Sequence, residues 1–260
     1  MESYETLLFE TAGPVVTITL NRPDVRNAMS NHMVEELLTC FTELASEVYA
    51  DIRAVVLRAA GDVFCAGGDI RDLSAGGAPG ESDAVARLDK LLRAVNEAPQ
   101  VVIARIQGPV MGGGLGLVCV SDIAIAATRA TFALPEVRLG IVPALISPFV
   151  VARVGLMRAR QIMLTGARFD AAAALAYGLV HETCPDAELD ARIDAALADV
   201  LTCAPQALRA CKRLLFTVAS ESDTLAYRVD LLNRLRASDE AQQGMRAFLT
   251  KQPAPWIPRS

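Results

Sequence analysis

Apolar positions along this chain fall into short β-branched runs separated by longer helical stretches, and glycine-bearing turns mark the joins. "VVTITL", Val15–Leu20, follows the turn-like "TAGP" and reads as a strand. After the "NRPD" break, Ser30 can cap a helix running through "MVEELLTCFTELASEV". A second strand, "RAVVLRA" (Arg53–Ala59), ends in "AGDVFCAGGDI". The stretch Ser74–Asp83, "SAGGAPGESD", has no apolar face and is expected to be an exposed, mobile loop. A helix from about Ala84 to Glu97 leads to a third strand, "QVVIARIQG", which delivers the chain into "PVMGGGLGLV", Pro109–Val118. "DIAIAA" and "ATFALPE" read as short strands.

Strands alternating with crossover-length helices predict an α/β protein with largely parallel pairing. From Ala144 onward no further strand is expected. Gly166 and Gly178 read as helix ends, Asp170 as an N-cap, and "PDAELDARIDAALADVLTCA" as an amphipathic helix. The division that follows is an α/β core over 1–195 and a helical region over 196–260. No Pro/Ser-rich linker separates them, so the tail is expected to pack on the core or on a neighbouring subunit. Strand–helix units recur, but no 20–50-residue sequence repeat is visible.

Composition narrows the class. The 260 residues are 52% hydrophobic and 21% charged, as in a globular protein with a substantial core. No apolar run reaches the roughly 18 residues of a spanning helix, and the charged start "MESYETLLFE" lacks a signal-peptide layout, so a cytoplasmic protein without a membrane partner is expected. The net charge of −5 and the lack of any Lys/Arg run argue against nucleic-acid binding. Cys40, Cys65, Cys119, Cys184, Cys203 and Cys211 form no C-x-x-C pair and are expected to be buried free thiols. His32 and His181 have no second histidine at ligand spacing, so no metal site is expected and both read as structural or exposed.

The glycine turn fails the dinucleotide template, because the third glycine would fall at Leu117; there is no P-loop and no G-x-S-x-G elbow. Two glycine turns remain, each after a strand: "FCAGGDI" (Phe64–Ile70) and "VMGGGLGL" (Val110–Leu117). Each could serve only to pack a helix tightly on its strand. Two backbone N–H groups converging on one oxygen would instead make an oxyanion hole.

At this point the sequence resembles the crotonase, or enoyl-CoA hydratase/isomerase, superfamily. The likeness runs through "LNRPDVRNAMS", "FCAGGDI", "EAPQVVIARIQGPVMGGG", "SDIAIA", "FALPEVRLGIVP", "LTGARFDAAAALAYGLVHE" and "FLTKQPAPW", nearly the whole chain and in family order. The resemblance implies a core of stacked β-β-α turns with a C-terminal helical region that builds trimers, often paired into hexamers. It implies that the N–H groups of Gly68 and Gly113 hold the thioester oxygen of an acyl-CoA substrate. Ala66, Gly67, Asp69 and Ile70 would line the pantetheine path, and Arg26 and Ala28 would meet the nucleotide end of CoA. Phe248 and Lys251 match tail positions that touch the CoA of a neighbouring subunit. No separate cofactor is implied, since CoA is part of the substrate.

Glu136, in "LPEVRLG", matches the second catalytic glutamate of the family, a group able to handle the proton or water. The first glutamate's position is Gly116. The surrounding wording resembles a bacterial branch containing isohexenylglutaconyl-CoA and methylglutaconyl-CoA hydratases, which also carry a small residue there. Hydration of a branched or carboxylated 2-enoyl-CoA is therefore expected. Asp72 could assist Glu136, and Arg71 or Arg138 could read a substrate carboxylate. A Δ3,Δ2-enoyl-CoA isomerase using Glu136 alone is the alternative enzyme. A non-catalytic acyl-CoA-binding homologue is the alternative from another class.

Overall fold

The computed structural model describes residues 4–69, 71–72, 81–220 and 224–257, with side chains in the helix beginning at Glu81 described from residue 86 onward. The strands are β1 (Leu7–Ala12), β2 (Val15–Leu20), β3 (Ala54–Ala59), β4 (Val101–Ile106), β5 (Val110–Met111), β6 (Ile123–Ala127), β7 (Thr131–Ala133), β8 (Phe169–Asp170) and β9 (Glu182–Cys184). The helices are α1 (Asn31–Leu44), α2 (Glu81–Glu97), α3 (Gly113–Val120), α4 (Ser147–Thr165), α5 (Ala171–Ala176), α6 (Leu189–Thr202), α7 (Pro205–Val218), α8 (Leu225–Ala237) and α9 (Asp239–Thr250).

Six strands form the main sheet in the order β1-β2-β3-β4-β6-β9, antiparallel at β1–β2 and parallel elsewhere. Its middle strands are near-continuous apolar runs because both of their faces are covered. A second sheet, β5-β7-β8, runs beside it. The two layers arise from one repeated path: a main-sheet strand, a short extended stretch, then a helix. Parallel bridges Met29↔Gly68 and Cys65↔Val110 continue the second layer into the β5–β7 pair. The turns are thus β2–Met29–α1, β3–Cys65–α2, β4–β5–α3 and β6–β7–α4, the stacked β-β-α arrangement. The repeat lies in the path of the backbone, not in the residue types, so no sequence repeat marks it.

The predicted caps form. Ser30 Oγ accepts from Met33 N at 3.2 Å, and Asp170 Oδ1 accepts from Ala173 N at 2.8 Å. Gly166, at φ 56°, closes α4. Other expectations are corrected. Strands do occur beyond Ala144: β8 pairs antiparallel with β7, and β9 extends the main sheet beside β6. Both are too short for an alternation to register, and β9 is fixed instead by His181, whose N–H donates to Ala124 O while its Nδ1 accepts from Ala124 N. α2 starts at Glu81 instead of Ala84, and residues 74–80 of the predicted loop lie outside the described residues. Cys40, Cys65, Cys119 and Cys184 are buried, but Cys203 and Cys211 are exposed in the helical region.

The chain separates into two compact units, Met1–Ile193 and Asp194–Ser260. Within the second, Glu240 accepts from the N–H groups of Gln206 and Ala207 at the start of α7. Thr224 and Ser238 cap α8 and α9, and Trp256 Nε1 donates to Thr202 O at 3.0 Å. No helix of the described residues is long and apolar enough to cross a membrane.

β1 was not anticipated, because only Leu7 of its side chains is buried. A buried carboxylate anchors its start. Glu36 on α1 accepts from Glu5 N at 2.6 Å, from Thr6 N at 2.9 Å and from Thr6 Oγ1. Burial pushes the Glu36 pKa up, but these donors and nearby His32 outweigh it and hold it below the ordinary 4.5. Glu36→Ala is expected to cost about 2–3 kcal/mol near pH 7. Because the folded-state pKa is the lower one, this stabilisation is present above the unfolded-state value and is lost as pH falls through the folded value. Urea unfolding of wild type and variant, near neutrality and in acid, checks both the size and the narrowing of the gap.

Candidate active site

The site begins with pairing. Val110↔Phe132 and Met111↔Ala133 align β5 with β7, and Gly112 N donates to Ala133 O at 3.1 Å. The chain after β7 turns through Leu134 into a short 3-10 segment, Pro135–Leu139, and this brings Glu136 over the glycine turn. A Cβ on Gly112 would lie 3.1 Å from Glu136 Oε1 and 3.5 Å from Gly67 Cα. The two glycine turns therefore touch backbone to backbone. Gly67 and Gly112 have φ of 98° and 48°, a left-handed backbone that glycine adopts without strain.

Gly113 opens α3, whose remaining residues, Gly114 to Val120, are all buried. A helix apolar on every side belongs in the core, and this one packs against α2 and α4. Its first N–H groups have no intrahelical acceptor and carry the positive end of the helix dipole. Neither Gly113 N–H nor Gly68 N–H has a hydrogen-bond partner among the described residues. Gly68 is exposed and Gly113 half-buried, so both donors are reachable. Two unpartnered, reachable donors on touching turns are what a two-donor oxyanion site is built from.

The carboxylate beside them is perturbed in the sense catalysis needs. Burial pushes the Glu136 pKa up, and its own backbone N–H offsets this only in part. Its Oε2 is buried with no hydrogen-bond partner among the described residues. A desolvated carboxyl with a free oxygen is able to take a proton and return it. Cys65, next to the same turn, is no rival nucleophile: burial pushes its thiol up to about 12.

The segments matched to CoA binding are laced together by main-chain bonds. Ala66 N donates to Arg26 O, Met29 N to Gly67 O and Asp69 N to Met29 O. Ala28 and Asp69 are further joined through Arg22, whose guanidinium donates to Ala28 O at 2.5 Å and to Asp69 Oδ2 at 3.1 Å. Buried Asn27, at φ 54°, accepts from Arg22 N and donates to Ala60 O and Val63 O, each at 2.8 Å. Arg22 and Asn27 were missed as positioning residues; "NRPDVRN" signals a turn, but not which of its side chains is buried. Ile70 lies outside the described residues. Phe248, exposed on α9, and Lys251, its left-handed C-cap, belong to the second unit.

Other proposed helpers have other engagements. Asp72 Oδ2 accepts from Asn31 N at 2.7 Å, at the start of α1. Arg138 is exposed, and its Nε donates to Thr165 O at 3.0 Å; Arg71 is exposed. Among the described residues, no group of three His, Cys, Asp or Glu side chains could hold a metal ion. His32 lies half-exposed, 3.4 Å from the Glu5 and Glu36 carboxylates.

Known proteins share both the sequence pattern and the fold. The enoyl-CoA hydratase/isomerase family profile matches residues 10–259. The enoyl-CoA hydratase ACTT6 of Alternaria alternata is 33% identical over 252 residues, covering 94% of this chain and 80% of its own. Among solved structures, Pseudomonas aeruginosa AtuE is similar with a TM-score of 0.93 at 43% identity, over 98% of this chain and 100% of that one. An enoyl-CoA hydratase/isomerase from Marinobacter aquaeolei gives a TM-score of 0.91 at 42% identity, over 98% and 100% of the two chains.

The raised Glu136 pKa has a consequence for stability. With the folded-state value above the unfolded one, ionised Glu136 destabilises the fold; the penalty is absent below the ordinary 4.5 and complete above the raised value. Glu136→Gln is therefore expected to melt above wild type near neutrality, with the gap shrinking in acid. Differential scanning calorimetry across that pH range checks it; a gap that widens on acidification contradicts the assignment.

Proposed function

Since the chain belongs to the enoyl-CoA hydratase/isomerase family, we propose that it adds water to a 2-enoyl-CoA thioester with a branched or carboxylated acyl group, of the isohexenylglutaconyl- or methylglutaconyl-CoA kind. The observation that carries the reading is the buried, unpartnered Glu136 Oε2 beside the turn that presents the Gly113 N–H. The small residue at Gly116 supports the branched or carboxylated class.

In this reading the thioester oxygen accepts from the N–H groups of Gly68 and Gly113. Glu136 takes a proton from water as the water oxygen bonds to C3. The C2=C3 electron pair moves into the thioester, and the negative charge that develops on its oxygen is what the two donors stabilise. Donors fixed in a dry site can each lower the barrier by roughly 2.7–4 kcal/mol. Glu136 then returns the proton to C2. One carboxyl acts first as base and then as acid, so water is added with every atom accounted for and no second acid is needed. Arg26, Ala28, Ala66, Gly67, Asp69 and Ile70 are assigned to CoA, with Arg22 and Asn27 holding that segment in place. Phe248 and Lys251 are assigned to the CoA of a neighbouring subunit in a homotrimer or a hexamer. Exposed Leu215, Leu225, Leu232, Phe248 and Leu249 in the second unit support such an assembly.

A second reading is favoured by one observation. The space around Gly116 is apolar, lined by Ile146 and Leu92. Moving a proton from C2 to C4 of a 3-enoyl-CoA uses the same oxyanion donors and Glu136 but no water, which suits that lining. A panel of 2-enoyl- and 3-enoyl-CoA esters followed by mass spectrometry separates the readings. Hydrated glutaconyl-type product is expected; double-bond movement without gain of water supports the isomerase instead. Glu136→Gln is expected to lower kcat/KM about 100-fold or more, and unchanged turnover removes Glu136 from its role.

A further inference from the structure

Gly112 is the N-cap of α3 and Gly116 lies in the first turn that follows it. Glu136 Oε1 lies over the first; Ile146 lies over the second. A Cβ at Gly116 would come within 2.6 Å of Ile146 Cγ2, 3.3 Å of Ile146 Cβ and 3.4 Å of Leu92 Cδ2. The obstructing atom is the methyl of a β-branched side chain, which cannot swing aside as a long side chain could. Ile146 is 3% exposed and Leu92 fully buried. The Ile146 backbone is also held where α4 begins: Ser147 N donates to Pro143 O and Val150 N to Ile146 O, each at 3.0 Å. Gly116 is thus glycine because its neighbour occupies the space, not because of its backbone angles.

We propose that Ile146 is a specificity-determining residue: with Leu92 it fills the volume a side chain at 116 would need, excludes a second carboxylate, and leaves Glu136 as the proton-transfer group. The proposal rests on the acyl-CoA reading above. On this account the one-carboxylate site is built by a residue some thirty positions away, on the segment leading into α4, and the single change Gly116→Glu cannot convert it.

A packing cycle and a reaction assay test this together. Gly116→Ala is expected to lower the melting temperature by roughly 4 °C or more through overpacking. Adding Ile146→Ala is expected to recover part of that loss, the two changes being coupled through one space. For the reaction, crotonyl-CoA is the probe. Gly116→Glu with Ile146→Ala is expected to hydrate it at least tenfold faster than Ile146→Ala alone, whereas Gly116→Glu alone gains nothing and melts lower than the pair. Gly116→Ala melting with wild type overturns the wedge. So does Gly116→Glu alone hydrating crotonyl-CoA as well as the pair. A folded pair with no gain over Ile146→Ala, in a protein whose wild type hydrates the glutaconyl-type esters, overturns control of the reaction by Ile146. A wild type that turns over no ester fails the functional reading instead, and the melting cycle still decides the wedge.

Discussion

Two glycine turns meet backbone to backbone beneath a half-buried carboxylate, and everything the site can do follows from that contact. Gly67 and Gly112 adopt left-handed backbone angles there, and Glu136 Oε1 rests against the second of them. With no side chain on either turn, the next N–H groups, at Gly68 and Gly113, stay open to a ligand. The same crowding strips water from Glu136 and raises its pKa. Donor placement and acid–base tuning are thus two results of one close approach.

The fold exists to hold that approach rigid. Each turn of the spiral places a short extended stretch beside the last, so the pairs Met29–Gly68, Cys65–Val110 and Met111–Ala133 set the heights of the two glycine turns and of Glu136. α3 is buried from Gly114 to its end and cannot shift without disturbing α2 and α4. The polar ties lie at the edge of this apolar frame, where Arg22 and Asn27 fasten the Arg22–Ala28 segment to Asp69 and to the loop after β3. A site made of backbone donors gains from such stiffness, since its donors must be in place before charge develops.

What sequence reasoning could reach follows the range of each signal. Ser30, Asp170 and Gly166 act through bonds to residues within a turn of themselves, and all three were legible. The strands at Val15, Ala54, Val101 and Ile123 were legible because burial on both faces makes them dense in β-branched and small apolar residues. β9 was not, since three residues fixed by a neighbouring His181 carry no period. The two glycine turns and Glu136 could be singled out through family likeness, but their contact joins residues far apart in the chain. Nothing in "NRPDVRN" shows that the Asn27 side chain is the fully buried one. Gly116 showed what was missing; only the structure shows Ile146 in its place.

The account stands most directly on where a thioester oxygen binds. A crystal structure of the Glu136→Gln protein with a 2-enoyl-CoA ester bound measures this. The expected result is that oxygen at about 2.7–3.1 Å from both Gly68 N and Gly113 N, with the side-chain amide introduced at position 136 facing the C2–C3 bond. An ester whose oxygen meets neither N–H, or whose acyl chain lies away from position 136, contradicts it.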